Sequence, residues 1–275
     1  MRNGLRRYPF AGPRWQGHGW GWLVVPAALL AQGDGPSYHP LQLDCGHYRQ
    51  QSRSQIQLES GGRRSQEMTG RDGVLVVRAT GRDSALFLEG WFDTLSVWRE
   101  GAGERLEPET DGVIGGRFRG VLTRLGGFTS LDRPFVPDDV AQVADVGDAL
   151  EELFPPLSPS ALAPGAAWKD EFGSVITRIP DGMNQGRRVE RYRLIRRSER
   201  EESHWLPDST EVRASRRQEE AGVFEWSGEL GPVRWEREIT VEVSVPAGGA
   251  VRQPFRTRIV QQVMVERVGG GCGAP

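Results

Sequence analysis

A period-two alternation of apolar and polar residues over residues 233–245 constrains the fold of this chain more than any other feature. Seven alternate positions read Val, Trp, Arg, Ile, Val, Val, Val, and the positions between them carry Arg, Glu, Thr and Ser. A period of two indicates a β-strand with one face on a core and the other in solvent. A glycine-containing turn over 246–254 and a second alternating run over 255–265 complete a predicted hairpin.

Similar runs fall into two groups, one on each side of residues 138–164. The first group has predicted strands at 47–58, 73–79, 85–98 and 116–125, and the second, over 172–268, also has them at 172–179, 189–197, 210–217 and 222–228. Predicted turns lie at 61–62, 71–73, 101–103, 111–112 and 180–182. The run 85–98 is apolar on both faces, so we expect it in mid-sheet with something packed over it.

Residues 138–154 are predicted to form the one helix. Their apolar side chains recur with helical spacing, and Pro137 followed by two aspartates suits a helix start, although Gly147 weakens its centre. A proline-rich bridge follows over 155–164. Grouped strands around a single helix favour a mainly β (α+β) fold. We expect a strongly curved antiparallel sheet with the mid-chain helix packed on its concave face.

The first 33 residues have the order of a cleavable export signal. They contain no acidic residue, carry four arginines, and continue with an apolar run over 20–31 and small residues up to Gly33. That run is shorter than the about 20 residues that span a bilayer. We predict a signal peptide over 1–33, one β-rich domain over 34–268 and a flexible tail over 269–275, in a periplasmic or extracellular protein. A retained membrane anchor or a disordered arm is the alternative.

Loss of this leader makes the chain acidic. Without its four arginines, 31 basic side chains stand against 37 acidic ones, a net charge of about −6. Nucleic acid is therefore not an expected partner, because binding to phosphates requires a basic face. No later segment is apolar for long enough to form a second membrane segment.

Two cysteines, Cys45 and Cys272, lie near the two ends of the predicted mature chain. In an oxidising compartment such a pair favours a disulfide bond that ties the ends together. Two unpaired thiols are the alternative interpretation.

Three segments around the predicted helix carry a resemblance to known proteins. Residues 131–137 (LDRPFVP), 154–157 (FPPL) and 163–168 (APGAAW) resemble uncharacterised exported bacterial proteins in which a proline-rich segment introduces a C-terminal run of strands. The predicted architecture is also similar to the curved half-barrel of periplasmic lipoprotein carriers, and the likeness covers residues 131–268. The uncharacterised proteins imply no catalytic residues. The carriers imply an apolar or lipid-like ligand, without indicating positions in this chain.

No residue pattern predicts catalysis, a metal site or a cofactor. The histidines beyond the leader, His39, His47 and His204, lack the spacing of metal ligands, and no nucleophile-elbow motif occurs. The carboxylates over 138–152 are expected to form a solvated helix face rather than an acid–base pair or a cation site. An exported hydrolase that uses scattered Asp, Glu and His residues remains an alternative.

Four tryptophans on apolar strand faces are the candidate ligand-binding residues: Trp91, Trp98, Trp226 and Trp235. Core packing is the competing interpretation of these side chains. The leading hypothesis is a non-enzymatic exported β protein that binds an apolar or lipid-like ligand in a dry groove between sheet and helix, or that serves as an envelope component. A third hypothesis is an extracellular interaction scaffold, which requires a broad exposed apolar patch.

Overall fold

A computed structural model describes residues 35–81, 85–205, 211–248 and 251–270, without the side chains at 204–205 and 211–212. The predicted signal peptide, Cys272 and the side chain of His204 lie outside the described residues. In the part that is described, no helix is both long enough and apolar enough to span a membrane.

The fold is mainly β, as predicted, and its strands form a single antiparallel sheet. In the described residues the sheet has twelve strands in the order β6-β5-β3-β2-β1-β12-β11-β10-β9-β8-β7, with β4 paired to β3. The strands are β1 (Gly46–Ser60), β2 (Arg63–Thr80), β3 (Ala85–Gly101), β4 (Glu104–Leu106), β5 (Phe118–Thr123), β6 (Phe128–Asp132), β7 (Ala167–Lys169), β8 (Val175–Asn184), β9 (Arg187–Trp205), β10 (Glu211–Ser227), β11 (Gly231–Val245) and β12 (Phe255–Gly270). A short helix, α1 (Pro40–Leu43), precedes them.

The first and last long strands pair with each other in the middle of this sheet. β1 is bonded to β12 from Gly46 opposite Gly270 to Ser60 opposite Phe255, and β2 flanks it on the other side. The strands at the two edges are short: β6 has five residues and β7 has three. Short edges leave few unpaired backbone groups for another chain to pair with.

The core lies between one face of the sheet and the connection from β6 to β7. We call this the inner face; its side chains include Phe92, Val97, Phe224, Trp235 and Val265, and the other face is the outer face. The connection adds a row of buried apolar side chains to the same cluster: Val140, Val143, Val146, Ala149, Leu150, Leu153, Phe154 and Leu157. Each fully buried side chain of this size contributes about 1.5–3 kcal/mol relative to exposure.

The helix predicted over 138–154 is largely absent. Only α2 (Asp138–Ala141) is α-helical, and Glu151–Leu153 forms a single 3₁₀ turn. Between them, the Asp145 carboxylate accepts a hydrogen bond from the Gly147 backbone N–H at 2.9 Å. This local bond competes with a helical ladder. The periodicity therefore predicted which side chains are buried, but not the backbone conformation of the segment that carries them.

One predicted turn and one predicted strand break are wrong, because the glycines there serve close packing. Residues 71–73 lie inside β2, and β10 runs unbroken through 218–221. A Cβ added at Gly73 would meet the Thr94 carbonyl oxygen at 2.7 Å, and one at Gly222 would meet that of Glu236 at 2.5 Å. Such glycines mark a close backbone approach within a sheet.

The other misplaced turn, at residues 180–182, lies inside β8. There a bulge between Ile179 and Gly182 accommodates the proline. The run 85–98 does lie in mid-sheet, between β2 and β5. Its outer face is nevertheless open, since Phe87 is 58% exposed. The strong curvature expected of the sheet stays a prediction.

Candidate functional site

The space between the sheet and the β6–β7 connection is filled by side chains. Leu150, Leu153 and Phe154 are at most 4% exposed. A cavity beside Leu150 and Phe118 measures about 10 Å³, which is at most the room of one water molecule. The dry groove that we predicted between sheet and helix is therefore wrong.

Beyond this packed region, the inner face continues as a band of partly exposed apolar side chains on β1, β12 and β11. Strand pairing sets Val241 opposite Ile259, and Ile259 opposite Ile56. None of these side chains belongs to the buried core cluster. We call this band the apolar stripe; it consists of Ile56, Ile239, Val241, Val243, Val245, Phe255 and Ile259, and Thr257 and Gln261 of β12 lie among them on the same face.

The stripe is long and narrow. It covers six residue steps of β11, about 20 Å, and two strand spacings, about 10 Å. Its area is thus about 200 Å², whereas each partner in a stable protein–protein complex buries about 800 Å². These dimensions fit an extended hydrocarbon chain better than a folded protein.

One long edge of the stripe carries two arginines that face each other. Arg216 of β10 is paired with Val243 on one side and with Arg200 of β9 on the other, so all three lie on the inner face. The Arg216 Nε atom is buried and has no hydrogen-bond acceptor. The Arg200 Nε atom lies 3.5 Å from a carboxylate oxygen of Glu202. These three charged side chains leave one net positive charge beside Val243.

A chain of charged side chains lies between the buried core and the stripe. Arg71 is 3% exposed, pairs with Glu152, and donates from Nη1 to the Asp145 carbonyl oxygen at 2.7 Å. Arg237 lies 3.9 Å from Glu152 and 3.3 Å from Glu220. The core is thus separated from the stripe by groups that must stay paired, because an unpaired buried charge is costly.

The outer face has a groove of about 730 Å³. Its floor includes one lateral row of residues in register across five strands: Ile195, Ala221, Glu238, Gln262 and Arg53. An apolar ligand placed there would remove water from these polar and charged groups, which costs free energy. The groove therefore suits an apolar ligand less well than the stripe does.

The four tryptophans predicted to bind a ligand do not share one cavity. Trp226 and Trp235 are buried in the core at 2% and 5% exposure. Trp98 lines the outer groove, with Arg105 4.9 Å from its ring centre. Trp91 is also on the outer face, with the Arg117 guanidinium 3.9 Å from its ring centre.

No described histidine meets a carboxylate in the way that a hydrolase needs. The His39 ring contacts Arg124 and, at 2.9 Å, the Ser37 hydroxyl. Burial, with the nearby Arg124 charge, lowers the pKa of His39. His47 lies on β1 opposite Gly269. Among the described residues, no group of three or more His, Cys, Asp or Glu side chains is arranged to hold a metal ion.

The carboxylates of the β6–β7 connection divide between two environments. Glu152 takes part in the buried charge chain, and Arg133 binds Asp148 at 2.6 Å on the surface. Burial, followed by the charge of Asp148, raises the pKa of Glu151. The solvated acidic face expected from the sequence therefore excludes Glu152, because that side chain points at two sheet arginines.

Comparisons with known proteins give no family. No protein-family model and no curated protein matches the chain. A structure described as lipid–protein interactions in lipovitellin is 9% identical with a TM-score of 0.42; the match covers 84% of this chain but only 26% of lipovitellin. Neisserial surface protein A is 11% identical with a TM-score of 0.24, covering 81% of this chain and 97% of its own.

A DUF1329 family protein from Desulfovibrio piger is also similar, at 9% identity and a TM-score of 0.16, over 84% of this chain and 90% of that protein. The similarity of all three structures is too low to carry an argument about function.

Proposed function

We propose that this chain is a non-enzymatic exported β protein that binds an apolar or lipid-like ligand on the apolar stripe. The observation that carries the proposal is the partial exposure of the apolar stripe, which lies on the same face of the sheet as the buried core. Removing such a surface from water is favourable by about 25 cal/mol per Å². Binding of a ligand on this surface requires no catalytic group in the protein.

The shape of the stripe separates this proposal from the interaction scaffold. A scaffold needs a broad apolar patch, and the area of the stripe is about a quarter of what one partner buries in a stable complex. An extended hydrocarbon chain matches the length of the band, about 20 Å. The hydrolase alternative gains no support from the contacts of His39 and His47.

The test is direct binding of an uncharged long-chain probe. The full chain is titrated with a pyrene-labelled fatty alcohol, and binding is followed by fluorescence. We expect saturable binding, and Val241→Asp to weaken it about tenfold or more, because a carboxylate in the stripe must lose water when the chain binds.

The control is Ser244→Asp, on the outer face of the same strand beside Arg256. It should bind the probe as the unmodified chain does. If Val241→Asp does not fold, Val241→Thr keeps the shape and should still weaken binding severalfold. Absence of saturable binding, or equal loss in Val241→Asp and Ser244→Asp, would refute the proposed function.

A further inference from the structure

Arg200 and Arg216 form a like-charged pair at the edge of the apolar stripe. They are directly opposite each other in the β9–β10 ladder and on the same face. Like charges at directly opposed positions destabilise a sheet. An anion bound between them removes that repulsion, so the pair is more stable with an anion than without one.

Among the residues that the structure describes, few acceptors lie near the pair. The Arg216 Nε atom is buried without a hydrogen-bond partner, and no ion pair to Arg216 is found in the part of the chain that is described. Glu202 offsets only one of the two positive charges. A single negative charge therefore balances the site, and a planar carboxylate matches the fork of a guanidinium.

The neighbouring apolar stripe indicates that an apolar group is attached to that anion. Val243 is the direct cross-strand neighbour of Arg216, and Val241 and Ile259 follow on the same face. An apolar band that adjoins a site for one planar carboxylate describes a fatty acid.

We propose that the ligand of the stripe is a long-chain fatty acid, with its carboxylate accepting hydrogen bonds from Arg216 and Arg200 and its chain lying on Val243, Val241 and Ile259. This inference rests on the proposed function and specifies its ligand class. The proposal gives the like-charged pair a role in ligand binding, whereas within the sheet alone the pair is only destabilising.

The experiment compares myristate with tetradecanol, which has the same chain length and no charge. Both are titrated calorimetrically into the full chain and into Arg216→Gln. We expect myristate to bind more tightly than tetradecanol, and Arg216→Gln to weaken myristate about ten- to a hundredfold while leaving tetradecanol unchanged. Arg216→Lys keeps the charge and should recover part of the loss.

The matched control is Arg217→Gln, because Arg217 is the next residue on β10, lies on the outer face and pairs with Glu219. It should leave myristate binding unchanged. Thermal unfolding of Arg216→Gln checks that the variant is folded; loss of one of two opposed positive charges should not lower its midpoint.

Two outcomes would overturn the inference alone. In the first, myristate and tetradecanol bind equally well; in the second, Arg217→Gln weakens myristate as much as Arg216→Gln does. Failure of both ligands to bind would instead overturn the proposed function. A free carboxylate such as acetate should not compete at millimolar concentration, because it lacks the chain that lies on the stripe.

Discussion

At the residue scale, arginine side chains cover the aromatic rings of this sheet. Guanidinium groups lie 3.9 Å from the ring centre of Trp91, 4.3 Å from that of Trp235 and 4.9 Å from that of Trp98. A guanidinium stacks well on a ring because it is planar and weakly hydrated. Three of the four tryptophans that we expected at a ligand site thus already have a cation as neighbour.

The sequence predicted which strands these tryptophans occupy, but it could not predict their neighbours. Arg117, just before β5, reaches Trp91, and Arg105 reaches Trp98 from β4. Such contacts depend on strand order and register, which a single strand's alternation does not contain. The same limit applies to Arg200 and Arg216, whose opposition appears only once β9 and β10 are paired.

His39 offers a test of the electrostatics at the start of the described chain. Its pKa is lowered by burial and by Arg124, so the folded protein favours the neutral ring. Stability linked to His39 is therefore complete above the unfolded value of about 6.5 and decreases as the pH falls below it. NMR titration should give His39 a lower pKa in the folded chain than in urea, and Arg124→Gln should raise the folded value. Equal values in both states would contradict this.

At the element scale, the β6–β7 connection is held by charge as well as by apolar packing. Its Glu152 faces Arg71 and Arg237 of two different strands. The sequence indicated the apolar side of this segment correctly, since Val140, Val143 and Leu150 are buried. It did not indicate Glu152, because one acidic residue in an acidic run has no distinguishing pattern.

Glu152→Gln should destabilise the protein strongly. Arg71 is buried, so loss of the facing carboxylate leaves a buried charge without its counterion, at a cost of about 3–5 kcal/mol. Urea unfolding followed by circular dichroism measures the change in the free energy of unfolding.

Glu151→Gln is the matched control at the adjacent position. Glu151 is exposed and has a carboxylate neighbour in Asp148, so its change should stay within about 0.5 kcal/mol. Equal effects of the two substitutions would show that the charge chain does not hold the segment.

The length of the alternation in β11 was the clearest sign of the stripe. The inner positions of this strand remain apolar through Val245, past the last core residue Trp235. A strand that only supports a core has no need of four further apolar positions on the same face. The sequence did not show where the β6–β7 connection ends on the sheet. That point determines where the buried core ends and the stripe begins.

At the scale of the whole molecule, the link between the chain ends through Cys45 and Cys272 stays a prediction. Cys45 is 6% exposed and directly precedes Gly46, which is opposite Gly270 in the ladder. Cys272 follows two residues later in sequence and lies outside the described residues. A disulfide between them would close nearly the whole mature chain, which in the chain-entropy model stabilises by about 4–5 kcal/mol.

Mass spectrometry of the exported protein tests both end predictions together. We expect a mature chain that begins near residue 34, with a mass lower by two hydrogens until it is reduced. Reduction should lower the thermal midpoint. A chain that keeps residues 1–33, or a mass unchanged by reduction, would contradict the signal peptide or the disulfide respectively.

The pairing of β1 with β12 has a consequence for the order in which the sheet assembles. Tyr48 and Arg267, which touch across this seam, are 219 residues apart in sequence. Each half can build hairpin by hairpin from local pairs, but the seam requires closure of the longest loop in the chain. Until the last strand arrives, β1 and β11 are two long open edges. The vulnerable species is therefore a nearly finished chain, and truncation within β12 should cause aggregation rather than a smaller folded protein.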